Sequence, residues 1–170
     1  IVGELRKLDR MVKRIIIAGG GHIGARLAQA LEERFQVKVI ERNSGTARRL
    51  CEQLNRAIVL QGDAADENLL RQENIEHVDV YCAVTNDDEA NILSAMQAKR
   101  MGARKVMALI NLVSYVDLVE SSGIIDVAIS PQQATIGSLL THVRRGDVAK
   151  VHSLRRGAAE AIEAIAHGDY

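Results

Sequence analysis

Gly19, Gly21 and Gly24 stand at the spacing G-x-G-x-x-G, between the β-branched run Arg14-Ile15-Ile16-Ile17-Ala18 and a segment whose Ile23, Leu27, Ala30 and Leu31 recur at helical spacing. The run is too apolar on both sides for a surface strand, so it reads as a strand buried on both faces. A buried strand, a glycine turn and a helix, in that order, form the arrangement that cradles a phosphate. Gly19 permits the tight turn, Gly21 lets a pyrophosphate approach the backbone, and Gly24 lets the helix pack closely on the strand. The unpaired N–H groups of the helix start then face the anion. About twenty residues on, after the second β-branched run Val37-Lys38-Val39-Ile40, comes Glu41, where this fingerprint places a carboxylate for the ribose hydroxyls.

The rest of the chain repeats the alternation. Strands are expected at about 14–18, 37–40, 57–60, 78–84, 105–110 and 127–129, and helices at about 22–34, 45–54, 66–72, 87–101 and 114–121. Asn43 or Ser44 caps the second helix, which carries Ala47, Leu50, Cys51 and Leu54 inward, and Thr85 or Asn86 caps the fourth, whose first turn holds Asp87 and Glu89. This pattern predicts a Rossmann-type, doubly wound α/β fold: a parallel six-stranded sheet, order 3-2-1-4-5-6, spanning residues 12–130. Residues 131–146 form a crossover helix behind Pro131. Its Ala134, Ile136, Leu139, Leu140 and Val143 are more apolar than a solvent-facing helix needs, so it is expected to pack against another subunit. Residues 1–11 read as a linker from a preceding domain. Residues 147–170, a strand near 148–154 and a helix near 158–166, read as the truncated start of a second small domain.

Charge and composition exclude several classes. Lys plus Arg and Asp plus Glu number 22 each, so no global basic field draws the chain to nucleic acid. One Phe, three Tyr and no Trp leave few stacking platforms for single strands. No apolar run approaches the roughly 20 residues of a membrane span, which sets the expectation of a soluble, cytoplasmic protein. Cys51 and Cys82 form no C-x-x-C pair and are expected as reduced core cysteines. The five histidines are scattered, so neither a metal site nor an acid–base pair follows from spacing. Tyr81 and Tyr115 lack a lysine four residues on, which removes the short-chain dehydrogenase pair. Catalysis, as an NAD-dependent oxidoreductase on the same fold, is the alternative to a binding role.

The glycine motif with Glu41, the turn Gln61-Gly62-Asp63-Ala64, the run Ala83-Val84-Thr85-Asn86-Asp87-Asp88-Glu89-Ala90-Asn91, and Ile129-Ser130-Pro131 before the crossover helix together resemble the RCK/KTN family. The resemblance covers about the whole chain, and the joint match is more specific than the glycines alone. It implies a regulator on the inner face of the cell membrane that binds NAD(H) or adenine nucleotides. It also implies self-association through the crossover helix and a membrane potassium transporter subunit, TrkH/TrkG-type, as partner. By that resemblance Gly19 through Ile23 hold the phosphates, Glu41 the ribose, Asp63 the adenine side, and Thr85 with Asn86 the floor of the crevice. Arg42 reads either as tolerating a nearby phosphate or as an exposed helix-start residue, and Asp63 either as a turn acid or as a ligand contact. Some relatives place an arginine in the glycine loop or the fifth strand; His22 and Ala108 stand there, which favours NAD(H) over ATP or ADP.

Overall fold

The computed structural model describes residues 12–132 and 134–144. The expectations for residues 1–11 and 147–170 aside, every predicted element is present: β1 (Arg14–Ala18), α1 (His22–Leu31), β2 (Gln36–Glu41), α2 (Ser44–Gln53), β3 (Ile58–Gln61), α3 (Glu67–Gln72), β4 (Val80–Ala83), α4 (Asp88–Arg100), β5 (Lys105–Leu109), α5 (Val113–Ser122), β6 (Val127–Ile129) and α6 (Ile136–Arg144). The linker and the second small domain assigned to 1–11 and 147–170 lie outside the described residues. The strands form one parallel sheet in the order β3-β2-β1-β4-β5-β6, with Ile17 facing Val39 on one side and Cys82 on the other.

Alternation along each strand splits the core into two layers. Ile15, Ile17, Val37 and Val39 point to the face covered by α1, α2 and α6, where they meet Leu27, Leu31, Leu50, Leu139 and Val143. Ile16, Ala18, Ile40, Tyr81 and Val106 point to the other, against Leu70, Ala95, Ala98, Val116 and Val119. A sheet buried on both faces needs apolar residues at nearly every strand position, which is why β1, β4 and β5 read as continuous apolar runs.

Three sequence expectations change, and α6 shows an intramolecular contact. Helix α1 stops at Leu31, and its buried stripe is Gly24, Leu27, Ala28 and Leu31, so Ala30 faces solvent. Cys51 is exposed, because the inward stripe of α2 runs through Ala47 and Leu50 to Leu54; Cys82 is buried as expected. The cap of α4 is Asp87, whose side chain accepts from Ala90 N, and the acids of the first turn are Asp88 and Glu89. In α6 the apolar residues have an intramolecular use: Leu139 and Val143 are fully buried, in the core layer that α1 also covers.

Glu32, unremarked in the sequence, closes the end of α1. It is only 4% exposed, and its Oε1 accepts from the backbone N–H groups of Asn55, Arg56 and Ala57 at 2.9, 2.6 and 2.8 Å, which moors the α2–β3 loop. Burial by itself would raise its pKa. The three backbone hydrogen bonds outweigh that, and the pKa lies below the ordinary 4.5. A depressed folded-state pKa means the stabilisation is complete above about pH 4.5 and is lost as pH falls through the folded value. Urea unfolding followed across pH should therefore show a steeper acid decline for the parent than for Glu32→Gln. At neutral pH, Glu32→Ala should cost about 2–3 kcal/mol, since buried donors lose a charged acceptor. Equal stability of Glu32→Ala and parent would show that the loop does not depend on this carboxylate.

Candidate nucleotide-binding site

The strand order reverses between β1 and β4, and the loops at the carboxyl ends of β1, β2, β3 and β4 meet there. Backbone bonds hold these loops side by side: Gly19 N to Ile40 O, Val84 N to Ala18 O and Gly62 N to Glu41 O, each 2.9 Å. At the end of β1 the chain turns at Gly19, with φ +110°, and a Cβ there would lie 2.9 Å from the Thr85 side chain. A Cβ on Gly24 would lie 1.8 Å from the carbonyl oxygen of Gly19, so the helix can rest on the strand only without a side chain. Gly20 is nearly as constrained, 2.2 Å from Leu50 Cδ1 by the same measure. Gly21 differs. It precedes α1 at φ −73°, and a Cβ built on it meets nothing within 4 Å.

Helix α1 begins differently from α2, α3 and α4; like α5 it lacks a side-chain cap. Helices α2, α3 and α4 are capped by the side chains of Asn43, Asp66 and Asp87. Helix α1 has no side-chain cap and no acid in its first turn. Its first N–H groups and the positive end of its dipole therefore face open space at Gly21, with His22 exposed on the first turn and Ile23 half-buried against the core.

Glu41, at the end of β2, reaches back to this loop. Its Oε1 accepts from Gly20 N at 2.7 Å and its Oε2 from Asn43 N at 2.8 Å. Two N–H groups thus orient the carboxylate while each oxygen keeps acceptor capacity for a further donor. Arg42 is exposed beside it. Asp63 is exposed in the next loop, where its Oδ1 accepts from Ala65 N at 2.9 Å; it closes a turn, and Asp66 caps the helix. Thr85 is half-buried against Gly19, whereas Asn86 is exposed at the rim. The structure thus gathers the glycine loop, Glu41 and Thr85 directly, and sets Arg42, Asp63 and Asn86 around them on adjoining turns.

Two residues of the run after β4 carry roles there that the sequence reading did not assign. Asn91 is fully buried; its Oδ1 accepts from Thr85 N at 3.0 Å and Thr85 Oγ1 at 2.6 Å, and its Nδ2 donates to Thr85 O at 2.9 Å and Leu109 O at 2.8 Å. It welds the loop after β4 to the end of β5. Its signal was available, because Asn91 lies on the buried stripe of α4 with Ser94, Ala95 and Ala98, a polar residue where the core demands an apolar one. Asp88 accepts from Asn111 N, Asn111 Nδ2 and Leu112 N at 2.8–2.9 Å, fixing the entry to α5. Burial would raise its pKa, but these hydrogen bonds prevail and lower it. Among the described residues, no group of His, Cys, Asp and Glu is arranged to hold a metal ion.

Comparison with known proteins fits this geometry. The TrkA-N domain profile matches residues 15–131. The chain is 63% identical over 169 residues to the Trk system potassium uptake protein TrkA of Halomonas elongata, covering 99% of this chain and 37% of that protein. It therefore spans little more than a third of the length of the curated relatives it matches. Among solved structures, the GsuK RCK domain superposes with a TM-score of 0.58 at 27% identity, over 69% of this chain and 25% of that one. A structure described as the GsuK channel bound to NAD gives 0.61 at 18% identity, over 71% and 22%, and shares the fold.

Proposed function

The chain belongs to the TrkA-N domain family, and from that premise we propose that it is a nucleotide-sensing half of the regulatory subunit of a Trk-type potassium uptake system. The observation that carries the reading is the uncapped start of α1, open at Gly21 and flanked by a carboxylate already oriented at Glu41. The backbone N–H groups of Gly21, His22, Ile23 and Gly24 would hold the pyrophosphate, helped by the helix dipole, while those of Gly19 and Gly20 bond Ile40 O and Glu41 Oε1 and shape the turn. Glu41 would accept the ribose hydroxyls, Asp63 would lie at the adenine side with Arg42 near it, and Thr85 and Asn86 would floor the crevice. NAD(H) is the proposed ligand ahead of ATP or ADP: the GsuK structure with NAD has the same fold, and Glu41 suits an unphosphorylated ribose.

Occupancy acts by differential binding. A ligand that contacts two arrangements of an assembly unequally shifts the balance between them, with no bond made or broken in the ligand. The proposed assembly joins copies through α6 and lies on the inner face of the cell membrane under a TrkH/TrkG-type transporter subunit. No described helix is long and apolar enough to cross a membrane, which suits a peripheral role. A switch needs no general acid or base. Among the residues gathered here, only His22 has an imidazole, and it sits exposed at the helix start.

The test is thermal unfolding of the 170-residue chain with NADH, NAD and ATP, paired with absorbance at 340 nm over a panel of alcohols, acids and aldehydes. At a ligand concentration 100 times Kd, stabilisation should reach roughly 2.7 kcal/mol, with absorbance unchanged. Steady substrate-dependent turnover would instead make the protein an oxidoreductase.

A further inference from the structure

In the proposed site the loops after β1, β2 and β3 take the adenosine and the pyrophosphate, over a floor at Thr85 and Asn86. A sheet of this order is built from two mononucleotide-binding halves, and a dinucleotide crosses from one to the other. The half made by β4, β5 and β6 adds the loop after β5. That loop adjoins the crevice floor: β4 and β5 are paired as far as Ala83 and Ala108, and Asn91 Nδ2 bridges Thr85 O and Leu109 O at 2.9 and 2.8 Å. Asn111 follows two residues after Leu109 and is exposed at this carboxyl end of the sheet.

The amide of Asn111 cannot point either way at will. Its Nδ2 donates to Asp88 Oδ1 at 2.9 Å, and the same oxygen accepts from Asn111 N at 2.8 Å, while Asp88 Oδ2 accepts from Leu112 N at 2.8 Å. These donors keep Asp88 ionised, and an ionised carboxylate only accepts. The NH2 end of Asn111 must therefore face Asp88, which leaves its carbonyl oxygen turned away. Among the described residues no donor bonds that oxygen. The second half of the crevice thus presents an oriented acceptor on a neutral side chain.

We propose that Asn111 Oδ1 accepts a hydrogen bond from the second nucleoside of a bound dinucleotide, with Asp88 as the residue that positions it. The inference rests on the nucleotide-binding reading and narrows it, because the ligand must then carry a donor beyond its pyrophosphate. A nicotinamide dinucleotide has two such groups, the hydroxyls of its second ribose and the N–H of its carboxamide. A fully ionised terminal phosphate has acceptors alone and would meet the Asn111 oxygen lone pair to lone pair, so ATP gains nothing here.

Calorimetry of the full chain and of Asn111→Ala with NADH, ADP-ribose and ADP tests the assignment. Asn111 is exposed and Asp88 keeps both backbone donors in the variant, and urea unfolding checks that the fold is retained. Affinity for NADH should fall about fivefold, the effect of one lost hydrogen bond, with affinity for ADP unchanged because ADP ends before reaching Asn111. An equal fall for ADP-ribose assigns the donor to the ribose, and a fall for NADH alone assigns it to the carboxamide. Asp88→Asn, whose own amide can pair with Asn111 in either orientation, should lower the preference for NADH over ADP in the same direction. Unchanged NADH affinity in Asn111→Ala, or an equal fall for NADH and ADP, would overturn the proposal and leave the nucleotide site standing. Failure of the parent to bind any of the three would overturn both.

Discussion

Gly21→Val should abolish nucleotide binding and leave the protein folded. The backbone at Gly21, φ −73° and ψ −160°, is open to any residue, and a Cβ there meets no protein atom within 4 Å. Valine is a poorer residue than glycine before a helix, but it also narrows the unfolded ensemble, so the net change in stability should stay under about 1 kcal/mol. The space that is empty of protein is where a diphosphate must come closest to the loop. Two methyl groups there should lower affinity at least about 100-fold, roughly 2.7 kcal/mol. Calorimetry with NADH reads the affinity and urea unfolding the stability. Unchanged affinity in a folded variant would place the ligand elsewhere and remove the proposed function with it.

Gly24→Ala is the opposite case, and a single methyl group suffices. Alanine is the better helix former by about 1 kcal/mol, so local propensity alone predicts stabilisation. The added carbon would stand 1.8 Å from the carbonyl oxygen of Gly19, a backbone atom at the end of β1 that has no rotamer to change. Relief requires parting α1 from the centre of the sheet, where Leu27 and Leu31 are fully buried. A loss above about 4 kcal/mol, or failure to fold, is expected, and urea unfolding measures it. Retained stability would mean that helix and strand are packed more loosely than the structure has them. Taken together the two substitutions separate the roles of one motif: in the proposed site Gly21 leaves room for a ligand, and Gly24 leaves room for the protein itself.

Much of this was legible locally. Period-2 and helical spacings located the elements, and Gly19, Gly24 and Glu41 read together predicted both the strand order and the edge where the loops meet. Their signals lie within a few residues of one another or at the fixed separation of one βαβ unit. Asp63 was left open between two readings, and the structure shows the turn that one of them described.

What spacing could not show were contacts between segments distant in the chain. Glu32 and the loop at Asn55 to Ala57, Asp88 and Asn111, and Asn91 and Leu109 meet only after the helices have docked. Cys51 and Ala30 have the composition of core residues, yet the sheet and the neighbouring helices settled which stripe each helix turned inward. The amino-acid sequence by itself determined the elements, their order and the glycine turn after β1, because backbone sterics and short-range periodicity act within a segment. The tertiary structure alone decided which polar side chains hold the crevice rigid. A buried carboxylate or amide is stable only where another segment brings it donors, and no single stretch of chain contains both halves of that bond.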